Sequence, residues 1–129
     1  MRYIEDIRDW LLLNNLLLGY REQKFEWKDS GISTDRFIVI QPDGGQPANG
    51  EFRSPFARLL IIGKKAEPHQ IAGGVVERAN DIITTMQDSY SQGRNFLMVP
   101  VNDISITART EDGRPYCQIN LRILANKEG

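Results

Sequence analysis

The sequence predicts an α+β domain: a mostly antiparallel β-sheet with two α-helices packed on one face, in the order α-β-β-β-α-β-β. Three observations predict it. Apolar residues recur at helical spacing near the N-terminus and again after Pro68, the apolar period falls to two elsewhere, and Asp112-Gly113 separates two alternating runs as a hairpin turn. The 129 residues are the length of one domain, residues 1–129, with no repeat, low-complexity tract or linker dividing them. A chain of this size buries roughly two-thirds of its unfolded surface and needs no metal or disulfide to hold a core.

The first helix is predicted from Tyr3 to about Leu18. Ile4, Ile7, Leu11 and Leu18 form its stripe, Trp10, Leu13 and Leu17 widen it, and Gly19 stands as its C-terminal stop. Leu12 and Leu16 make the apolar face wider than a small domain needs, so the helix is either deeply buried or partly in contact with another chain. Phe25 and Trp27 alternate with Lys24, Glu26 and Lys28 as a strand with one wet face. Asp29–Asp35 is turn-like, and Phe37-Ile38-Val39-Ile40 is a β-branched run closed by Pro42. Gln41–Pro55, with Gly44, Gly45, Gly50, Pro42 and Pro47, is predicted as a long polar loop, of a length that usually serves function. Leu59-Leu60-Ile61-Ile62 reads as a central strand covered on both faces.

Pro68 opens a second predicted helix that runs to about Gln87, with Ile71, Val75, Ala79, Ile82, Ile83 and Met86 on one face. Gly73-Gly74 inside it costs roughly 1 kcal/mol per glycine against alanine, which calls for close approach to another element. After a loop at Asp88–Asn95 and an apolar stretch at Phe96–Val101 comes the hairpin. Ile104, Ile106 and Ala108 alternate on one arm, and Cys117, Ile119, Leu121 and Ile123 on the other.

Composition narrows function by exclusion. With 16 Lys+Arg against 17 Asp+Glu and a net charge of −1, nothing global asks for a nucleic-acid or anionic-membrane partner. One cysteine, Cys117, and one histidine, His69, make neither an internal disulfide nor a His/Cys metal cluster. The leucine runs Leu11–Leu13 and Leu16–Leu18 are preceded by Glu5, Asp6 and Asp9 and split by Asn14-Asn15, unlike a signal peptide. No apolar stretch of about 18 residues could span a bilayer. The expectation is a soluble intracellular protein of a reducing compartment.

No catalytic motif appears, and no cofactor or metal is expected. Gly45-Gln-Pro-Ala-Asn-Gly50 has the glycine spacing of a phosphate-binding loop, but Glu51 and Phe52 stand where Lys-Ser/Thr would meet the phosphates. His69 is predicted at an exposed helix start without a carboxylate or nucleophile partner, and Cys117 on the apolar face of a strand. Eleven of the sixteen cations are arginine, the residue whose planar fork suits interfaces. Arg53, Arg58, Arg94 and Arg114 lie in or beside predicted loops. The wide leucine face, the long loop carrying Phe52 and the extended hairpin all favour an interaction protein over an enzyme.

Taken together, Arg36-Phe-Ile-Val-Ile-Gln-Pro-Asp-Gly-Gly45, Phe56–Lys64 and the Ala72–Met86 helix, in this element order, resemble the tail terminator family of long-tailed bacteriophages and prophages, the minor tail protein U class. The resemblance covers most of the chain and rests on element order, length and texture. It implies a structural protein that forms a homo-oligomeric ring, a hexamer, which caps the finished tail tube and offers a docking surface for the head-completion or connector protein. It implies assembly in the bacterial host cytoplasm and residence in the virion tail, with no membrane and no direct nucleic-acid partner. Loop placement alone nominates Phe52, Arg53, Tyr90 and Arg94 as interface residues. Other readings stay open: another head–tail connector or tail-completion protein, a small ligand-binding or enzymatic module using Gln41–Pro55 as a lid, or a nucleic-acid binder gathering Lys24, Lys28, Lys64 and Lys65 on one face.

Overall fold

The computed structural model describes residues 2–45, 55–89, 98–101, 104 and 106–123. Its elements are α1 (Arg2–Leu13), β1 (Arg21–Lys24), β2 (Phe37–Gly45), β3 (Pro55–Ile62), α2 (Val75–Ser89), β4 (Met98–Pro100), β5 (Ile106–Arg109) and β6 (Pro115–Ile123). The strands form one sheet ordered β1-β2-β3-β6-β4, with β5 sharing the outer edge of β6. All pairings are antiparallel except β1 with β2. The predicted α+β fold is the one observed, with strands β1 and β4 completing the sheet at its edges.

The core follows from period-two alternation. Ile38 and Ile40, then Ala57, Leu59 and Ile61, then Cys117, Ile119, Leu121 and Ile123 point to one side, where Ile4, Ile7, Leu11, Ala79, Ile82 and Met86 of the helices cover them. The other side carries a smaller cluster, Phe37, Val39 and Ile62 with half-buried Trp27, Leu60 and Tyr116. The central strand β3 is thus sealed on its helix side and only partly covered on the other, a correction to the expectation of two covered faces.

Helix α1 ends at Leu13 rather than Leu18. Asn15 adopts the left-handed conformation (φ 60°), its N–H donates to Leu12 O, and Leu16 N–H donates to Leu11 O. This is a Schellman termination with asparagine in the glycine position. Leu16 turns back into the core while Leu12, Leu13 and Leu18 face outward. Helix α2 begins at Val75 rather than at Pro68. Gly73 takes φ 77°, Gly74 O accepts the first helical hydrogen bond from Arg78 N, and Glu77 Oε1 accepts from Gly73 N at 2.5 Å, a capping arrangement. The two glycines therefore stand at the helix start and not within it, so no interior penalty arises.

The first predicted strand is displaced. Strand β1 occupies Arg21–Lys24 and stops at Phe25, whose φ of 74° leaves the extended region. Trp27 instead tucks beneath the sheet, edge-on to Phe37 with ring centroids 5.8 Å apart. Strand β2 runs through Pro42 to Gly45, past the expected end, with a register shift between Pro42 and Gly45. The hairpin of β5 and β6 forms as read, closed by Gly113 (φ 89°).

Candidate interaction surface

The molecule has two dissimilar poles. At the pole where β2 begins and β3 ends, Arg114, first after the hairpin glycine, points inward and is 1% exposed. Its Nη1 donates to Asp35 O at 2.7 Å and Gly63 O at 3.1 Å, and its Nη2 to Ile32 O at 2.8 Å and Asp29 Oδ1 at 3.2 Å. The guanidinium lies 5.3 Å from the Phe37 ring centroid. Two loops, the one between β1 and β2 and the one after β3, are tied to one side chain of the hairpin here, and the planar fork with several donors is what allows it. Arg114, grouped with the loop arginines in the sequence, is a buried organiser and not a surface contact. Arg58 is half-buried and donates to Gln41 Oε1 at 2.9 Å.

Beside this knot Glu67 is buried, its Oε1 accepting from Arg36 Nε at 3.2 Å and Nη2 at 2.9 Å. Tyr20 lies between Arg36 and Arg78, whose guanidinium carbons are 5.7 and 4.6 Å from its ring centroid. Arg78 also donates to Leu16 O and Leu18 O at 2.8 and 2.9 Å, fastening the turn after α1 to α2. Burial pushes the Tyr20 hydroxyl up to about 12 and the Cys117 thiol up to about 11. Cys117 sits in the core among aliphatic side chains. His69 is partly buried, its Nε2 2.7 Å from Ala108 O, rather than on an exposed helix start. Among the described residues no group of three or more His, Cys, Asp or Glu could hold a metal ion, and no helix is long and apolar enough to cross a membrane.

Several apolar side chains face outward. Leu13 and Leu18 are 64% and 65% exposed, with Leu12 beside them, forming an apolar knuckle where α1 ends. Leu18 is therefore an outward residue, contrary to its place in the predicted buried stripe, and the wide leucine face is resolved in favour of a helix with part of its surface open. On the far side of the sheet a groove of about 500 Å³ is lined by Trp27, Leu60, Ile62 and Tyr116 with Gln41 and Arg58. A shallower recess of about 380 Å³ at the start of α2 is lined by Ile71, Ala72, Val76, Glu77 and Asp81 among others. Of the lysines, Lys24 is bound to Glu5 at 2.8 Å and Lys65 lies 4.0 Å from Asp112.

The nominated residues Phe52, Arg53, Tyr90 and Arg94 lie outside the described residues, in the segments 46–54 and 90–97. The structure fixes only where those segments leave the fold. Sequence reasoning missed the Arg114 knot because nothing local distinguishes an arginine beside a turn that bonds inward from one that faces water.

A search of curated proteins finds no match to the chain. Compared with known families, residues 1–127 match the one described as phage tail termination protein, nearly the whole length, including both helices and all the strands above. The chain belongs to the phage tail termination protein family.

Proposed function

We propose that the protein acts without catalysis, as a ring that closes the end of a finished tail tube and presents its outer surface to the head. The observation that carries this reading is the family match along residues 1–127; the outward leucines Leu12, Leu13 and Leu18 support it. A subunit with two different complementary patches leaves both unsatisfied as a monomer and satisfies both only in a closed ring. The ring is proposed as a hexamer, assembled in the bacterial host cytoplasm and retained in the virion tail. Its partners are further copies of itself, the tail-tube protein and the head-completion or connector protein. Phe52, Arg53, Tyr90 and Arg94 are proposed to lie at these contacts, because an aromatic or guanidinium group contributes most where it is desolvated by a partner.

Native mass spectrometry from low micromolar to several hundred micromolar, with and without purified tail-tube ends, tests the reading. Hexamers that grow in by mass action, or that appear only when tube ends are added, are the expected result. A stable dimer that ignores tube ends would overturn it.

A further inference from the structure

The leucines outside the core at the end of α1 and the groove on the far face of the sheet are a knob and a hole of matching chemistry. Leu12 and Leu13 point outward while Leu11 is buried, and Leu18 joins them beyond the turn. Asp9 is exposed and stands three and four residues before Leu12 and Leu13, so it borders them on the helix surface. Arg8 Nη1 donates to its Oδ1 at 3.1 Å, and α1 has no basic residue in its last turn to offset the negative end of its dipole. The knob is also held in shape. Asn15 fixes the turn in the left-handed conformation and Arg78 grips the Leu18 carbonyl, so docking orders little that is not already ordered.

The hole has an apolar floor and a basic rim. Leu60 and Tyr116 line it beside Trp27 and Ile62, and its charged residues are Arg58, Arg109 and Glu111. Arg109 is exposed, with Nη1 donating to Gly113 O at 3.0 Å, whereas Arg58 is tied to Gln41 and Asp43. A volume of about 500 Å³ is that of a cleft which buries a guest's side chains. Knob and hole cannot meet within one chain. Leu59 and Ile61 face the helices while Leu60 and Ile62 face the groove, so the sheet stands between the two surfaces.

We propose that the leucine knuckle of one copy seats in the far-face groove of a second copy, with Leu13 and Leu18 over Leu60 and Tyr116 and Asp9 toward Arg109. Apolar burial supplies the affinity, and the opposite charges set the orientation. The contact joins unlike surfaces, so it repeats from copy to copy and can close a ring. The inference rests on the ring reading above and names the two surfaces of one of its interfaces.

Paired cysteines test it. Leu18→Cys and Gln118→Cys, prepared separately, are mixed and oxidised at several hundred micromolar; Gln118 lies beside Leu60 in the sheet. Covalent dimers are expected from the mixture and from neither variant alone, and a chain carrying both substitutions is expected to form a ladder. Cys117 is buried and does not compete. Independently, Asp9→Arg and Arg109→Glu, each alone, are expected to weaken self-association roughly tenfold or more, and the double variant to recover most of the loss. Native mass spectrometry with tail-tube ends present reads this effect, and both positions are exposed, so the fold tolerates the exchange.

Leu18→Cys that cross-links to itself, a mixture without covalent dimers, or single charge variants that associate like the unaltered protein would overturn the docking. Arg109→Glu that loses tube ends yet self-associates normally would give the groove to the tube protein and overturn it too. Hexamers that ignore the charge exchange and form no mixed disulfide would overturn the docking and leave the ring standing. Covalent ladders from a protein whose native assemblies are open chains would keep the docking and overturn the ring.

Discussion

Arg78 stacks on Tyr20 with its guanidinium carbon 4.6 Å from the ring centroid, and the same side chain holds Leu16 O and Leu18 O. One residue of α2 thus secures both the ring that closes the core and the turn that displays the leucine knuckle. Replacing it with leucine keeps much of the packing but abandons two carbonyls and the cation–π contact. Arg78→Leu is expected to cost about 1.5–3 kcal/mol in urea unfolding. It should also raise amide hydrogen exchange at residues 16–19 more than in the β6 strand; uniform exchange across both would contradict the assignment.

Arg114 offers a sharper substitution. Lysine keeps the charge but replaces the fork with a single ammonium, which cannot meet Asp35 O, Gly63 O and Ile32 O together. Arg114→Lys is expected to lose about 2–4 kcal/mol of stability, measured by chemical denaturation. A loss below about 0.5 kcal/mol would mean that the carbonyls find other donors.

Gly63 has no room for a methyl group. A Cβ there would lie 2.8 Å from Glu67 Oε2, 3.0 Å from Pro115 Cγ and 3.1 Å from Val75 Cγ1, and Glu67 is held in place by Arg36. Gly63→Ala is expected to destabilise by about 1–3 kcal/mol, with a lower thermal midpoint as the readout.

Alkaline pH should unfold the protein in a defined window. Tyr20 is pushed up to about 12 from 10.0, so its protonated form is favoured in the fold. That stability is fully present below pH 10 and falls as pH rises toward 12, because the unfolded chain loses the proton first. Cys117, raised to about 11 from 9.0, acts in the same direction over a slightly lower range. The loss from Tyr20 is on the order of 2 kcal/mol. Tyr20→Phe should flatten the decline between pH 10 and 12 in a denaturant-midpoint series; an unchanged slope would remove Tyr20 as its source.

Leu13→Lys with Leu18→Lys is expected to leave stability within about 0.5 kcal/mol, since both side chains face outward. The same pair should weaken binding to tail-tube ends in pull-down or electron microscopy. Unaltered capping would remove the knuckle from the proposed contacts.

How far the fold could be read in advance depends on the range of the forces involved. Alternation in β3 and β6 and the helical stripe from Ile4 to Leu11 are local, and they place the sheet, the helices and the core. The ends of elements were harder. Asn14-Asn15 interrupts the leucines in plain view, but the left-handed turn at Asn15 competes with a helical pattern that continues to Leu18. Gly73-Gly74 likewise stands as a start signal inside an apparent stripe that includes Ile71. Phe25 and Trp27 alternate as a strand would, yet the backbone reverses at Phe25 and Trp27 is claimed by Phe37, a partner ten positions away. The poles, and with them the recess at α2, depend on the antiparallel return of β3 and the packing of α2 across it, which no window of sequence contains.

Arg114 and Arg78 bind main chain more than side chain. Ile32, Asp35 and Gly63 meet Arg114, and Leu16 and Leu18 meet Arg78, through carbonyl oxygens. Any amino acid supplies the same oxygen. Positions 18 and 32, whose side chains point outward, can therefore accept substitutions without loosening the joints beneath them. The exterior can be retuned to a new neighbour while the scaffold stays fixed, a division that lets recognition diverge faster than architecture.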